Sequence, residues 1–314
     1  MPDRRLTILG LGLLAACAFF LFWGLKGPAG FILELRATKL AALLLVGAAV
    51  GISTVVFQTV TGNRILTPSI MGFDSLFLLV QSLMVLTMGG LGYVMTDGPA
   101  KFLLDTGLMM AASLMLFTLL MGRGRGDLHR MILAGVIIGL FFRSMTAFVL
   151  RLIDPSEFSV VQQVMFASFG AVDTTQLAIA AVLFLAVFAA IWKLAPALDI
   201  VALGRDSAVG LGLRYDRLAM VLLLLVSALV AVSTALVGPI SFLGLLVAAL
   251  AHEVVKTPRH VLLLPAAALI AGLVLVIGQG VFERLLGLQS TLAVIIEFFG
   301  GLLFLYLVMG GRRR

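Results

Sequence analysis

Two charged residues, Arg143 and Glu297, lie inside long apolar stretches of the sequence. A charge at the centre of a bilayer costs at least about 2.5–3.5 kcal/mol on insertion scales, so such residues are usually retained for function. The two side chains could neutralise each other in a salt bridge, or each could line a hydrated path across a membrane. A carboxylate in this position could also couple transport to an ion gradient, and Glu297 is the candidate for that role.

A second set of polar residues shares one face of a predicted helix. Gln58 and Thr61 follow Thr54 by four and seven residues, so a helix places all three side chains on one side. This face could line a path or hydrogen-bond to a neighbouring helix, whereas hydroxyls that bond back to their own helix need no function. The spacing therefore predicts a polar face but no particular chemistry.

Patterns typical of catalytic and metal sites are missing from the sequence. There is no G-x4-G-K-[ST] phosphate loop, so the chain cannot bind ATP in the P-loop manner. The three histidines lack metal-ligand spacing, Cys17 is the only cysteine, and no nucleophile has a base at a suitable spacing. We therefore predict no enzymatic activity, no bound cofactor and no metal, with energy supplied by a partner or an ion gradient.

The composition indicates an integral membrane protein. Hydrophobic residues occupy 62% of the 314 positions and charged residues 12%, which is more apolar than a soluble core requires. Apolar runs of ~20 residues cross a bilayer as helices, because a helix satisfies its own backbone polar groups. Basic residues at the inner face of a membrane account for the net charge of +7, so no nucleic-acid partner is predicted.

These runs predict an all-α integral membrane protein with about ten transmembrane helices in one domain, residues 1–314. The candidate segments are residues 6–25, 39–60, 70–92, 103–121, 131–152, 173–194, 217–236, 240–255, 260–282 and 290–309. The eighth segment is short for a span. Most lysines and arginines then fall on one side of the membrane, and the positive-inside rule places both termini in the cytoplasm.

Glycines predict one close helix contact and one helix break. Gly47 and Gly51 form a small-x3-small surface, which suits close approach of a second helix. Gly238 and Pro239 break the chain before the eighth segment, and a membrane tolerates such a break only where protein or water covers it. We therefore expect the eighth segment to be a short or re-entrant helix that faces a path.

A polar insert at about residues 198–215 interrupts the apolar sequence between the sixth and seventh segments. Its predicted stops and caps are, in order, Pro196, Gly204, Asp206 or Ser207, and Gly212. The pattern favours two short helices joined at a glycine corner, which would project from the cytoplasmic face as a docking element. An ordinary interfacial loop is the alternative, and periodicity alone does not decide between them.

The insert also matches a known pattern, LG-x3-A-x2-LG. The matching run extends from Leu203 and Gly204 through Asp206 and Ala208 to Leu211 and Gly212. It resembles the cytoplasmic loop in permease subunits of bacterial iron-siderophore and vitamin B12 ABC importers. In that family, the loop inserts into a groove of the ATPase subunit, so the resemblance implies that this insert is an ATPase-coupling loop.

Two further stretches resemble motifs of the same family. The first follows the pattern Q-x4-N-P-L-A-x-P-x3-G and places Gln58, Asn63, Pro68 and Gly72 at its marked positions. The second is similar to GPIGFVGLIV and supplies Gly238, Pro239, Phe242 and Gly244. With the coupling loop, these motifs extend the resemblance over nearly the whole chain. They imply that both stretches border the translocation path.

The sequence departs from the family pattern at several positions. Arg64 stands where the pattern has a proline, and Ala248, Ala249 and His252 replace a Pro-His and an arginine near the end of the second motif. A frequent Gly-x-Pro near the C-terminus appears here as residues 300–302. The run at 66–74 looks like the branch that handles catecholate siderophores.

The resemblance implies a multi-pass permease in the bacterial cytoplasmic (inner) membrane that translocates a ferric siderophore. The implied partners are an ABC ATPase subunit, a second permease that is either the same chain or a paralogue, an extracytoplasmic siderophore-binding protein and the lipid bilayer. Two alternatives remain from other classes, a secondary transporter driven through Glu297 and a membrane-embedded enzyme. The missing catalytic patterns argue against the enzyme.

Overall fold

The computed structural model of the chain describes residues 2–25, 28–123, 128–170, 172–284 and 292–310. These residues form helices and connecting turns, without any strand. The helices are α1 (Pro2–Phe22), α2 (Ala29–Thr61), α3 (Phe73–Met95), α4 (Pro99–Arg123), α5 (Leu128–Leu150), α6 (Phe158–Met165), α7 (Thr174–Lys193), α8 (Ala195–Val201), α9 (Arg205–Gly210), α10 (Tyr215–Val237), α11 (Leu243–Val255), α12 (His260–Arg284) and α13 (Leu292–Gly310). A 3₁₀ turn, Pro68–Met71, precedes α3.

Each of the ten predicted segments overlaps a helix. Seven helices in the described part of the chain are long and apolar enough to cross a membrane, namely α1, α2, α3, α5, α7, α10 and α12. The eighth predicted segment corresponds to α11, which has 13 residues and is shorter than the ~20 residues that a span requires. The all-helical membrane class is confirmed, whereas ten spans and the orientation of the termini stay predictions.

The second helix begins earlier than its apolar run predicts. Charged residues before position 40 suggest a polar connection, yet α2 begins at Ala29. The charges have partners at that end of the bundle, because Arg36 donates to the carbonyls of Leu21 and Trp23 at 2.8 and 3.0 Å. Lys39 Nζ lies 2.6 Å from Glu283 Oε1. These interactions let the helix continue through residues that hydropathy alone excludes.

Helix α2 lies at the centre of the fold and packs closely on α12. An added Cβ at Gly51 would lie 2.9 Å from the Ala267 carbonyl oxygen, and one at Gly47 would lie 3.2 Å from the Ala271 backbone. A side chain at Gly51 would clash with the α12 backbone, so the predicted close contact of small residues is confirmed.

Two ends of the bundle can be defined from contacts between helices. At the end that carries α8 and α9, the Tyr215 hydroxyl donates to the Val60 carbonyl at 3.2 Å, and Arg5 donates to the Val254 carbonyl. The opposite end holds the Lys39–Glu283 pair. We refer to these as the α8–α9 end and the opposite end.

Helix α3 contains a kink near the opposite end. Gly89 has φ +73° and ψ 164°, outside the helical region. The adjacent Gly90 N–H donates to Glu157 Oε1 at 2.9 Å, so a carboxylate from the turn before α6 satisfies a backbone donor at the kink. Helix α6 follows this turn and is eight residues long.

Candidate functional site

The predicted coupling loop forms two short helices that meet at a glycine corner, as the spacing suggests. Gly204 has φ +93° and ψ 165°, a conformation that an L-residue with a side chain rarely adopts. It occupies the N-cap of α9, so the prediction that Asp206 or Ser207 caps this helix is wrong. Glycine has no side chain that could cap α9, and no other side chain caps it. The positive φ of Gly204 turns the chain from α8 into α9. Pro196 lies in the first turn of α8 instead of ending α7, as proline tolerates that position.

The coupling-loop residues divide into inward and outward groups. Ala208 is 0% exposed, whereas Leu203, Val209 and Leu211 are 62%, 51% and 64% exposed. Asp206 is exposed in the first turn of α9. The loop therefore presents an apolar surface, while a buried alanine anchors it to the bundle. Clustered exposed apolar side chains of this kind are typical of protein contact sites.

Two features fix the second half of the loop. Gly212 has φ +88° and lies beyond the end of α9, where it lets the chain turn into α10. Arg205 pairs with Asp216 at 3.2 Å. Hydrogen bonding to this carboxylate, and then its negative charge, raise the pKa of the Arg205 guanidinium.

Three side chains connect the loop to the end of α2. His260 Nδ1 lies 2.7 Å from Asp199 Oδ1, and the same oxygen accepts the His260 backbone N–H at 2.8 Å. His260 Nε2 lies 2.8 Å from Thr59 Oγ1. The sequence does not reveal this arrangement, because the three residues are far apart in the chain. The chain of contacts joins α8, α12 and α2.

Residues of the first motif stabilise the turn after α2. Gln58 is 3% exposed, and its Nε2 donates to the Arg64 carbonyl at 2.6 Å. Asn63 Oδ1 accepts the Ile65 N–H at 2.9 Å, as asparagine side chains often do in turns. The Thr61 hydroxyl bonds back to the Phe57 carbonyl at 2.8 Å. The predicted polar face is thus largely engaged in local hydrogen bonds.

The segment that follows returns to pack against α5. Pro68 begins the 3₁₀ turn and is buried, and Gly72 has φ +95°. An added Cβ at Gly72 would lie 2.5 Å from the Gly139 Cα, while one at Gly139 would lie 2.9 Å from the Gly72 Cα. Gly72 and Gly139 therefore pack directly on each other, and we call this contact the glycine crossing. The sequence does not reveal that Gly139 is the partner of Gly72.

The second motif forms the predicted break between α10 and α11. Gly238 has φ +96°, and an added Cβ would lie 3.2 Å from the Ala167 Cα. Protein therefore covers the break at Gly238 and Pro239. An added Cβ at Gly244 would lie 2.1 Å from Thr54 Oγ1, so α11 begins in close contact with α2.

Phe242 lies beside α13. An added Cβ at Gly300 would lie 2.4 Å from the Phe242 Cβ, so the glycine at this position lets the aromatic residue approach the helix backbone. Residues 300–302 are the Gly-Gly-Leu run that stands in place of the family's Gly-x-Pro. Its first glycine, Gly300, is required for this close contact.

An aspartate that sequence analysis did not select lies among the predicted path residues. Asp74 Oδ2 accepts the Ser241 hydroxyl at 2.6 Å, which joins the start of α3 to the break before α11. Asp74 also interacts electrostatically with Arg143 and with Glu297. Among the described residues, no ion pair joins Arg143 to Glu297 directly, and Asp74 is a charged neighbour of both. The sequence signal that points to Asp74 is its position, since this carboxylate follows the last glycine of the first motif by two residues.

A small cavity lies between α2, the 3₁₀ turn and the α10–α11 break. Its volume is ≈ 20 Å³, and its polar lining includes Ser53, Thr54, Asp74, Ser233 and Ser241. This space accommodates about one water molecule. A metal chelate is much larger, so a path for such a substrate requires another arrangement of the helices or a second subunit.

Residues 15–310 match the FecCD transport family. The chain is 42% identical over 311 residues to the petrobactin import system permease protein YclO of Bacillus subtilis (strain 168), with 98% of each chain covered. It is 31% identical to the petrobactin import system permease protein FatC of Bacillus anthracis, covering 98% of this chain and 88% of FatC.

A solved structure shows the same fold. A metal-chelate type ABC transporter in an inward-facing conformation superposes with a TM-score of 0.84 at 23% identity, covering 98% of this chain and 99% of the other. The family match spans most of the sequence, including both motifs and the coupling loop. The chain belongs to the FecCD transport family, and its two relatives named above are import system permease proteins.

Proposed function

We propose that this chain is the membrane-spanning permease subunit of an ABC importer for a ferric siderophore in the bacterial cytoplasmic membrane. The observation that carries this proposal is the glycine-cornered pair α8 and α9, with Ala208 buried and Leu203, Val209 and Leu211 exposed. A separate ATPase binds this apolar surface and drives transport. The names of YclO and FatC support a siderophore of the petrobactin kind as the cargo.

The remaining partners follow from the same function. A second permease, either a copy of this chain or a paralogue, completes the path, and an extracytoplasmic binding protein delivers the chelate. The α8–α9 end faces the cytoplasm, where the ATPase is found, and both termini lie on that side. Iron crosses as cargo within its chelate, and the permease holds no resident metal or cofactor. The relatives do not support a secondary transporter driven through Glu297.

The test is recovery of the ATPase with the tagged permease from native membranes. The parent chain is compared with Leu211→Arg, which places a charge on the exposed apolar surface. We avoid Ala208→Arg because Ala208 is 0% exposed, so arginine there would disrupt the loop itself. Leu152→Arg is the matched control, since Leu152 is 56% exposed in the turn after α5, away from α8 and α9.

We expect the ATPase to co-purify with the parent and with Leu152→Arg, and to be lost from Leu211→Arg. Uptake of the iron-labelled chelate should fall in parallel. If Leu211→Arg retains both the ATPase and full uptake, the α8–α9 surface is not the docking site. If the parent transports without any ATPase, the importer proposal is wrong.

A further inference from the structure

A larger cavity opens at the α8–α9 end, separate from the break before α11. Its volume is ≈ 400 Å³, and it lies between the end of α2, the end of α8 and the turn from α11 to α12. Its lining includes Gln58, Thr59, Arg64, His252, Lys256 and His260. The transport function proposed above assigns no role to this space.

Basic side chains dominate the rim of the cavity. Arg64 and Lys256 carry positive charges, two histidines are nearby, and no carboxylate is among the lining residues. Within the described part of the chain, the Arg64 guanidinium has no hydrogen-bond or ion-pair partner. Lys256 contacts Glu253 at 3.3 Å, but both side chains are exposed and such pairs are weak. The cavity therefore favours an anion.

The wall of the cavity contains a buried acceptor that lacks a donor. Gln58 Oε1 is inaccessible to solvent and has no partner among the described residues. The amide orientation is set by Nε2, which donates to the Arg64 carbonyl at 2.6 Å. Leaving a buried acceptor unpaired costs about 1–3 kcal/mol. A shift of the Gln58 side chain that brings Oε1 to the cavity would let a ligand hydroxyl remove this cost.

Two departures from the family pattern border the same cavity. Arg64 stands in place of the proline in the first motif, and His252 lies where the second motif departs. In the structure, Arg64 and His252 both line this cavity. The unusual residues of both motifs therefore meet at one place, although they are distant in sequence.

We propose that this cavity binds a phosphate-bearing anion with a free hydroxyl. Arg64 and Lys256 hold the phosphate oxygens at the rim, and the Gln58 amide turns toward the cavity so that Oε1 accepts a hydrogen bond from the hydroxyl. The phosphoglycerol headgroup of a membrane lipid and free hydrogen phosphate share this chemistry. Because His260 also lines the cavity and contacts Asp199 at 2.7 Å, the bound anion lies directly beside the coupling loop.

The test measures thermal unfolding of the full chain in lipid nanodiscs. In one arm, inorganic phosphate is titrated into nanodiscs of phosphatidylcholine, with potassium chloride matching the ionic strength. In the other arm, phosphatidylglycerol is added to the nanodiscs in increasing proportion. A ligand that binds the folded state raises the unfolding midpoint in a saturable manner. Neither arm needs transport or an ATPase, so the result is independent of the proposed function.

Matched variants separate a specific site from general attraction. The double variant Arg64→Gln/Lys256→Gln should abolish the saturable rise in the unfolding midpoint. The control Arg214→Gln/Arg217→Gln removes two exposed charges at the start of α10, outside the cavity lining, and should retain the rise. If the double variant does not fold, Gln58→Leu is tested in its place. This change should reduce the apparent affinity for the anion about tenfold, which corresponds to the loss of one hydrogen bond.

Each outcome decides the proposal. Saturable stabilisation by phosphate alone identifies a soluble anion, and stabilisation only with phosphatidylglycerol identifies the lipid headgroup. If neither ligand raises the midpoint of the parent, the proposal is wrong. It is also wrong if the cavity variants keep the effect, or if the α10 control loses it equally, because the attraction would then be nonspecific.

Discussion

His260 Nδ1 lies 2.7 Å from Asp199 Oδ1, and this contact ties the coupling loop to the start of α12. On its other side, His260 Nε2 lies 2.8 Å from Thr59 Oγ1 at the end of α2. The imidazole is buried, since His260 is 2% exposed, whereas the Asp199 side chain is 36% exposed. The predicted ATPase-docking element is therefore braced against the most central helix, α2.

We predict that Asp199→Ala weakens both stability and coupling. The change removes the acceptor for the His260 ring and backbone N–H, and losing a hydrogen bond to a charged group costs about 1.5–3 kcal/mol. Asp199→Asn should cost less, since it keeps an acceptor for the backbone. The measurements are the free energy of unfolding and the ATP consumed for each chelate transported, which should rise in Asp199→Ala.

Asp206→Ala is the control for stability, because Asp206 lies exposed on α9 without a contact to α12. Its free energy of unfolding should match that of the parent. Equal ATP consumption per chelate in Asp199→Ala and the parent would show that this contact is structural only and plays no part in coupling.

The glycine crossing between the 3₁₀ turn and α5 gives a second prediction. In Gly139→Ala, the new Cβ would lie 2.9 Å from the Gly72 Cα, so the backbones must separate. Overpacking of this kind typically costs about 1–3 kcal/mol, and the unfolding midpoint should fall. Gly107→Ala in α4 is the control, since its Cβ would meet nothing within 4 Å; an equal fall in both variants would contradict the crossing.

Gly244→Ala tests the contact between α11 and α2. Its Cβ would lie 2.1 Å from Thr54 Oγ1, a separation that real atoms cannot adopt, so uptake and stability should both fall. Adding Thr54→Ala removes the nearest atom and should restore part of the loss. The Thr54 Cβ would still lie 3.1 Å away, so complete recovery is not expected. A double variant no better than Gly244→Ala alone would show that another contact is responsible.

The sequence predicts the helices and the outline of the coupling loop well, because both depend on local signals. Apolar runs locate the long helices, and Gly204 and Gly212 mark the turns where positive φ angles occur. The start of α2 is missed, since its charges are compensated by Glu283 and by carbonyls at the end of α1. Such pairing becomes visible only once the helices are assembled.

The same limit applies to the site. The Asp199–His260 and Thr59–His260 contacts join residues 61 and 201 positions apart, and no periodicity connects them. Gly139 resembles any glycine in an apolar helix until Gly72 packs on it. Arg143 and Glu297 stand out in the sequence as charges within apolar runs. That Asp74 is a neighbour of both follows only from how three helices pack together.

The charges near the path give the last prediction. If a separate ATPase supplies the energy, Glu297 has no need to exchange a proton during transport. Glu297→Gln preserves the shape of the side chain, so ATP-driven uptake should stay within about threefold of the parent, less than 1 kcal/mol in activation free energy. A collapsed proton gradient should leave uptake by ATP-loaded vesicles unchanged in both chains.

Asp74→Ala should behave differently, because Asp74 joins α3 to the α10–α11 break through Ser241 at 2.6 Å. Loss of this bond frees the break to move relative to α3, and we expect uptake to fall about tenfold, equivalent to roughly 1.4 kcal/mol. The comparison is made in reconstituted vesicles at equal permease content. Loss of uptake in Glu297→Gln together with sensitivity to the proton gradient would instead favour ion coupling, because an ATP-driven permease predicts neither result.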